Sequence, residues 1–203
     1  VKKKMTEKEG FQSARLQAEP IQNPKSKIPN RLTQATPRIY VACLAAYNNG
    51  KLHGRWIDVE RDAASIRSEI HQMLASSPEP DAEEWAIHWY ENWEGIEIGE
   101  NEDIERVANL AEMLMKHGVA FAAYCQYRGK DAEEEGFLEN YAGEYETESD
   151  FAQELWQELG LLQQSENLGI DNYINWEAIA RDLFISDYYS VEVGERQVYV
   201  FHR

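Results

Sequence analysis

From Asp131 to Glu158 the chain reads DAEEEGFLENYAGEYETESDFAQELWQE, with eleven Asp or Glu and no Lys, Arg or His. Charge of one sign at this density has to face outward, because an unpartnered carboxylate is too costly to bury. The acids are Asp131, Glu133, Glu134, Glu135, Glu139, Glu144, Glu146, Glu148, Asp150, Glu154 and Glu158. A second window, Glu79 to Glu105, also lacks Lys and Arg and holds Glu79, Asp81, Glu83, Glu84, Glu91, Glu94, Glu97, Glu100, Glu102, Asp103 and Glu105. On a helix, the like-charge pairs Glu135/Glu139, Asp150/Glu154 and Glu154/Glu158 each cost about 0.2–0.5 kcal/mol. A surface selected only for solubility would interleave lysine and recover that energy. Two lysine-free windows therefore point to a use for the repulsion.

The charge is divided unevenly along the chain. Residues 1–38 carry nine Lys or Arg against three Glu and are +6, within a total of −17. The remaining 165 residues, with 11 basic and 34 acidic side chains, are −23. Such a body repels nucleic acid and membranes and attracts basic grooves. Its 43% apolar and 11% aromatic content is too high for a wholly disordered chain. No apolar run approaches a membrane span. The basic start VKKKMTEKEG is followed by no apolar segment and is not expected to be a secretory signal. Cys43 and Cys125 offer neither a disulfide framework nor metal-ligand spacing. They are expected to be reduced, mostly buried thiols of a cytoplasmic protein.

Residues 1–37 are polar, punctuated by Pro20, Pro24, Pro29 and Pro37, and read as a disordered basic tail. Order is expected from RIYVACLAAYNNGKLHGRWIDV. Ile39 to Ala46 is strand-like, Asn48-Asn49-Gly50 suits a tight hairpin turn, and Leu52 to Val59 reads as the return strand. A helix with Ile66, Ile70 and Leu74 on one face follows, ended by Pro78 and Pro80. In EWAIHWYE, Trp85, Ile87 and Trp89 alternate with Ala86, His88 and Tyr90, giving a third strand. A helical region comes next. Ile104, Val107, Leu110, Ala111 and Leu114 recur at helical spacing, and Gly118 is placed to end that helix. VAFAAYCQYRG and DAEEEGFLENY are expected to add two more helices. Thr147 or Ser149 begins a capping pattern before DFAQELWQELGLL, with Phe151, Leu155, Trp156 and Leu159 inward. YINWEAIARDLFISDY is a further amphipathic helix, using Ile174, Ile179, Leu183 and Phe184. YSVEVGERQVYVF reads as two strands in which Val198 and Val200 alternate with Tyr199 and Phe201. The expected class is α+β: an elongated chain of three small domains, a small α+β unit at 38–98 with an antiparallel sheet, a helical unit at 99–141 and an α+β unit at 142–203.

Catalytic and metal motifs are missing from the sequence. His53, His71, His88, His117 and His202 fit no HExxH or Cys/His spacing, and no segment fits a calcium loop. There is no GxSxG, Walker loop or GxGxxG. Neither a metal nor a cofactor is expected, and no catalytic residue stands out. A hydrolase built on one Glu/Asp pair would need a defined carboxylate separation that sequence does not show. Duplex DNA carries about one charge per 1.7 Å of axis, so a −23 body matches roughly 40 Å of duplex and a dimer roughly 80 Å. Helices set carboxylates about 5–6 Å apart per turn, close enough to phosphate spacing to occupy a groove of Arg and Lys. An acidic adaptor for a basic nucleoid-type protein is the alternative that the same charge allows.

IYVACLAAYNNGKLHGRWIDV, EEWAIHWYEN and INWEAIARDLFISDYYSVEVGERQVYVFHR, in that order, with the acidic YAGEYETESDFAQEL between the last two, resemble the ArdA family of antirestriction proteins over about 39–203. Trp89 departs from the family pattern, where Asp is expected; the basic extension lies outside the family core. The resemblance implies a curved protein of three small domains that dimerises through the last of them. It implies a DNA mimic, carried by mobile elements, that occupies the DNA groove of Type I restriction-modification enzymes. The expected partner-binding residues are the carboxylates of the two windows together with Glu112. Tyr141, Tyr145, Tyr188 and Tyr189 are the expected dimer contacts. The homodimer and the methyltransferase core of the restriction enzyme are the expected partners; the acidic body is not expected to bind nucleic acid directly, or membrane.

Overall fold

A computed structural model describes residues 35–203, and there the chain is α+β, with eight α-helices and two three-stranded antiparallel sheets among the described residues. The expected tail falls, for residues 1–34, outside the described residues.

The first sheet has the order β2-β1-β3, from Gly54–Asp58, Arg38–Cys43 and Trp85–Glu91. β1 is shorter than its apolar run. Leu44–Asn48 instead forms a helical turn, α1, because Leu44 N–H donates to Glu84 O at 3.0 Å and Lys51 N–H to Ala46 O at 2.9 Å. A short apolar run cannot by itself separate strand from helix. Gly50, at φ +72°, still makes the turn. α2 (Ala63–Ala75) is capped by Asp62, whose side chain accepts from Ser65 N–H at 2.9 Å. Its Ile66, Ile70 and Met73 join Ile39, Val41 and Ile57 in the core.

The expected alternation in β3 fails at one point. Tyr40 pairs with Trp89 and Val41 with Ile87, so His88 is an extra residue in a β-bulge. One inserted residue reverses the face of everything after it. Ile87 is buried at 4% exposure while Trp89 stands 64% exposed.

α3 (Ile104–His117) buries all five residues expected on its inner face, and Gly118 at φ +64° ends it. α4 (Val119–Arg128) follows directly, and α5 (Glu134–Asn140) comes after a 3-10 turn. Tyr141–Tyr145 forms β4, a strand unmarked by any apolar alternation in YAGEY. α6 (Glu148–Glu158) stops early: Gly160, in the left-handed region at φ +70°, separates it from α7 (Leu161–Leu168). Leu159, expected inward, is therefore 48% exposed. α8 (Trp176–Ser186), β5 (Tyr188–Gly194) and β6 (Gln197–His202) complete the chain.

The second sheet has the order β4-β6-β5 and is covered on both faces. Tyr199 and Phe201 look toward α4 and α5, where Phe201 meets Tyr124 at 5.6 Å; Phe201 also stacks on its β5 neighbour Tyr189 at 5.0 Å. Val198 and Val200 look the other way, onto Phe151 of α6. All four alternating residues of β6 are therefore buried. The core around Tyr199 and Phe201 is continuous with that of the first sheet.

Candidate partner-binding surface

The acidic segment is anchored by two phenylalanines that point inward, while Leu138 between them stays exposed. Phe137 is buried at 3% and packs on Phe121 at 5.6 Å and Tyr124 at 5.7 Å. Phe151 is buried against Tyr145 at 5.2 Å and Tyr188 at 4.6 Å. The acids between them point away. α6 is begun by Thr147, whose Oγ1 accepts from Asp150 N–H at 3.1 Å and donates to Asp150 Oδ2 at 2.7 Å. Asp150, Glu154 and Glu158 then recur four apart, all exposed, a ladder with a rise of about 6 Å per step. Glu148 and Asp150 suit the positive end of the helix dipole. Glu154 and Glu158 lie toward its negative end, and no basic residue occupies the last turn of α6.

None of the 23 nominated carboxylates is buried. Glu79, Glu91, Glu102, Glu134 and Glu148 are half-buried and the other 18 exposed. Seven form ion pairs among the described residues. In the first window Glu79 pairs with Lys51 at 2.5 Å, Glu91 with Arg38 at 2.6 Å and Glu102 with Arg106 at 3.4 Å, while Asp103 and Glu105 share Arg67. In the second, Glu134 takes Lys116 at 2.6 Å and His117 at 2.8 Å, and Glu146 takes Arg196. The hydrogen bonds from Arg67 hold the Glu105 carboxyl down at about 2. Lys116, then His117, lower Glu134, and Lys51 lowers Glu79. The remaining sixteen, nine of them in the second window, have no ion pair to a described residue.

α8 and the β5–β6 hairpin extend this surface with acids that the two windows do not contain. Glu177, Glu192 and Glu195 line, with Glu146, Glu148 and Arg181, a concavity of about 370 Å³. The spacing of Glu192 and Glu195 on either side of the Gly194 turn was a usable signal for them. Among the described residues no group of three or more His, Cys, Asp or Glu is placed to hold a metal. Cys43 and Cys125 are both buried and free, and burial pushes the Cys125 thiol up to about 12. No helix among the described residues is long and apolar enough to cross a membrane.

The four nominated tyrosines all pack within the chain. Tyr189 is 6% exposed and stacks on Tyr127 at 3.8 Å. Tyr141 stacks on Phe137 at 5.2 Å. Tyr145 and Tyr188 are half-buried beside Phe151, and Tyr141 is half-buried as well. Burial raises the hydroxyl of each above its ordinary value. Glu154 and Glu158 add to the shift at Tyr145, which sets that ring beside the α6 ladder.

A search of curated proteins returns no match to the chain. A family model, that of the antirestriction protein ArdA, matches residues 39–196, which takes in every helix, all but the first residue of the first sheet, and β4 and β5 of the second, ending just before β6. Antiparallel sheets flanked by helices, an outward-facing acidic surface and this match over most of the chain agree, and the protein belongs to the ArdA family of antirestriction proteins.

Proposed function

We propose that this protein inhibits a Type I restriction-modification enzyme by occupying its DNA-binding groove in place of duplex DNA. The observation that carries this reading is the sixteen surface carboxylates that no described cation neutralises, nine of them between Asp131 and Glu158. A carboxylate without an internal partner keeps its full charge for an external one. In the groove, Arg and Lys that hold phosphates take the carboxylates instead. The α6 ladder presents three of them in line. The binding energy is spread over many weak contacts, so no side chain acts as a catalyst or needs a defined reaction geometry.

The finer parts of the reading concern shape and assembly. The chain works as three small units, 38–98, 99–141 and 142–203, extended along the groove, with a homodimer formed through the last of them. Tyr141, Tyr145 and Tyr188 are half-buried and are the contacts available to a partner copy there; the buried Tyr189 supports that unit from within.

The test is a competition assay. Purified protein is titrated against a Type I methyltransferase core bound to labelled duplex. Displacement of the duplex that weakens as salt rises is expected, because the cationic groove is screened. Undisturbed duplex binding refutes the proposal, and salt-independent displacement refutes its electrostatic basis.

A further inference from the structure

The outer face of the first sheet carries a row of three aromatic rings, and the acidic windows do not account for it. Strand register sets Trp56, Tyr40 and Trp89 directly opposite one another across β2, β1 and β3. Directly paired residues of an antiparallel sheet share a face. The opposite face, with Ile39, Val41, Ile57 and Ile87, is buried in the core with α2. Trp89 reaches the outer face only because the bulge at His88 reverses the alternation of β3.

The row is built rather than incidental. Tyr40 and Trp56 meet edge to face at 5.5 Å. The Tyr40 ring overhangs Gly54, where a Cβ atom would come within 2.6 Å of its hydroxyl oxygen. Beside the row, Arg38 lies with its guanidinium carbon 4.6 Å from the Trp56 ring centre. The same guanidinium donates to Glu91 Oε2 from Nε at 2.9 Å and from Nη2 at 2.6 Å. The face thus already holds one arginine between an aromatic ring and a carboxylate. At the other end of the row, Trp89 is 64% exposed, and no described cation lies over its ring. Asp58, exposed at the edge of the neighbouring row, adds negative charge.

We propose that this face docks an arginine of a cationic partner surface, with Trp89 stacking on the incoming guanidinium as Trp56 does on Arg38. The proposal rests on the mimicry reading for the identity of the partner. The carboxylates draw in a basic groove, and this face grips a side chain at its rim. Arginine is favoured over lysine because its planar, weakly hydrated head stacks on an indole. An exposed aromatic anchor at a protein interface typically carries a large share of the affinity.

Trp89 lies outside the core, so Trp89→Ala is expected to melt as the wild type does, and Trp89→Phe keeps a ring as the conservative control. Oligo-arginine and oligo-lysine peptides of equal length serve as probes, followed by the Type I methyltransferase core. Wild type is expected to prefer oligo-arginine several-fold, Trp89→Phe to keep part of that preference and Trp89→Ala to lose it. Affinity of Trp89→Ala for the methyltransferase core is expected to fall roughly tenfold or more. Equal behaviour of wild type and Trp89→Ala toward both peptides and the enzyme overturns the proposal. So does a Trp89→Ala protein of lower mass in solution, which makes the face a self-interface. So does an indole at 89 already shielded from aqueous quenchers in the free protein, which means the chain covers it itself. If Trp89→Ala inhibits normally while neutralising 131–158 abolishes inhibition, only the docking face fails. If neither change matters, mimicry fails as well.

Discussion

The two acidic windows have the same number of carboxylates and the same lack of lysine and arginine, yet the fold treats them differently. Of the eleven acids between Glu79 and Glu105, five are tied to cations that lie outside the window in sequence: Lys51, Arg38, Arg106 and Arg67. These contacts fasten strand ends and the connection into α3. Glu91 closes on Arg38 across the β1–β3 pair, and Glu105 joins the start of α3 to α2 through Arg67. Between Asp131 and Glu158 only Glu134 and Glu146 have such a partner among the described residues. The helices repeat the contrast. α3 has Glu105 in its first turn and Lys116 and His117 in its last, in keeping with its dipole. α6 has acids at both ends and no base in its last turn. Charge in the first window partly serves the fold through ion pairs, while most of the charge in the second meets no described cation.

The sharpest way to break this comparison is to neutralise each window in turn. Converting the nine unpaired acids of 131–158 to Asn or Gln is expected to weaken inhibition on the order of a hundredfold, the product of many small contributions. Converting Asp81, Glu83, Glu84, Glu94, Glu97 and Glu100 is expected to cost clearly less. Titrating inhibition of the restriction enzyme with both variants decides it, and equal losses would erase the distinction. At the next level, any single Glu→Gln within 131–158 is expected to change the inhibition constant by less than about threefold, since exposed charge contacts are individually weak. A full loss from one substitution would replace a distributed surface with a specific site.

The smallest effect concerns stability. The Glu105 carboxyl is lowered in the folded chain from its ordinary value near 4.5 to about 2 by Arg67. A depressed carboxyl contributes stability above the unfolded value, and that contribution fades as pH falls from 4.5 toward 2. Thermal melts of Glu105→Gln and wild type are expected to differ slightly at neutral pH and to converge near pH 2. A difference that persists at pH 2 would assign the effect to packing rather than ionisation.

Regular elements with strong local signals were legible in the chain. Apolar spacing located α2, α3 and α8, Gly118 the end of α3, and the capping pattern at Thr147 or Ser149 the start of α6, because helical spacing and end signals are local properties. β4 was not legible: YAGEY sets three small or acidic residues between two half-buried tyrosines, and only pairing with β6 makes it a strand. Nor was the outward turn of Trp89, which follows from a bulge in the register against β1. The acids themselves were legible as a surface, since none of the 23 is buried. Which of them were already paired was not, because Lys51, Arg38 and Arg67 approach from distant positions.

The sequence by itself determined that this protein is an acidic α+β chain, with its main helices where the apolar period puts them and carboxylates on the outside. Those properties depend on residue type and on neighbours within a turn or two. Only the tertiary structure decided which carboxylates meet a cation, that the C-terminal sheet is covered on both faces, and that three aromatic rings line up on the open face of the first sheet. Each of these depends on strand register and on contacts between residues far apart in the chain, and a local pattern carries no information about either.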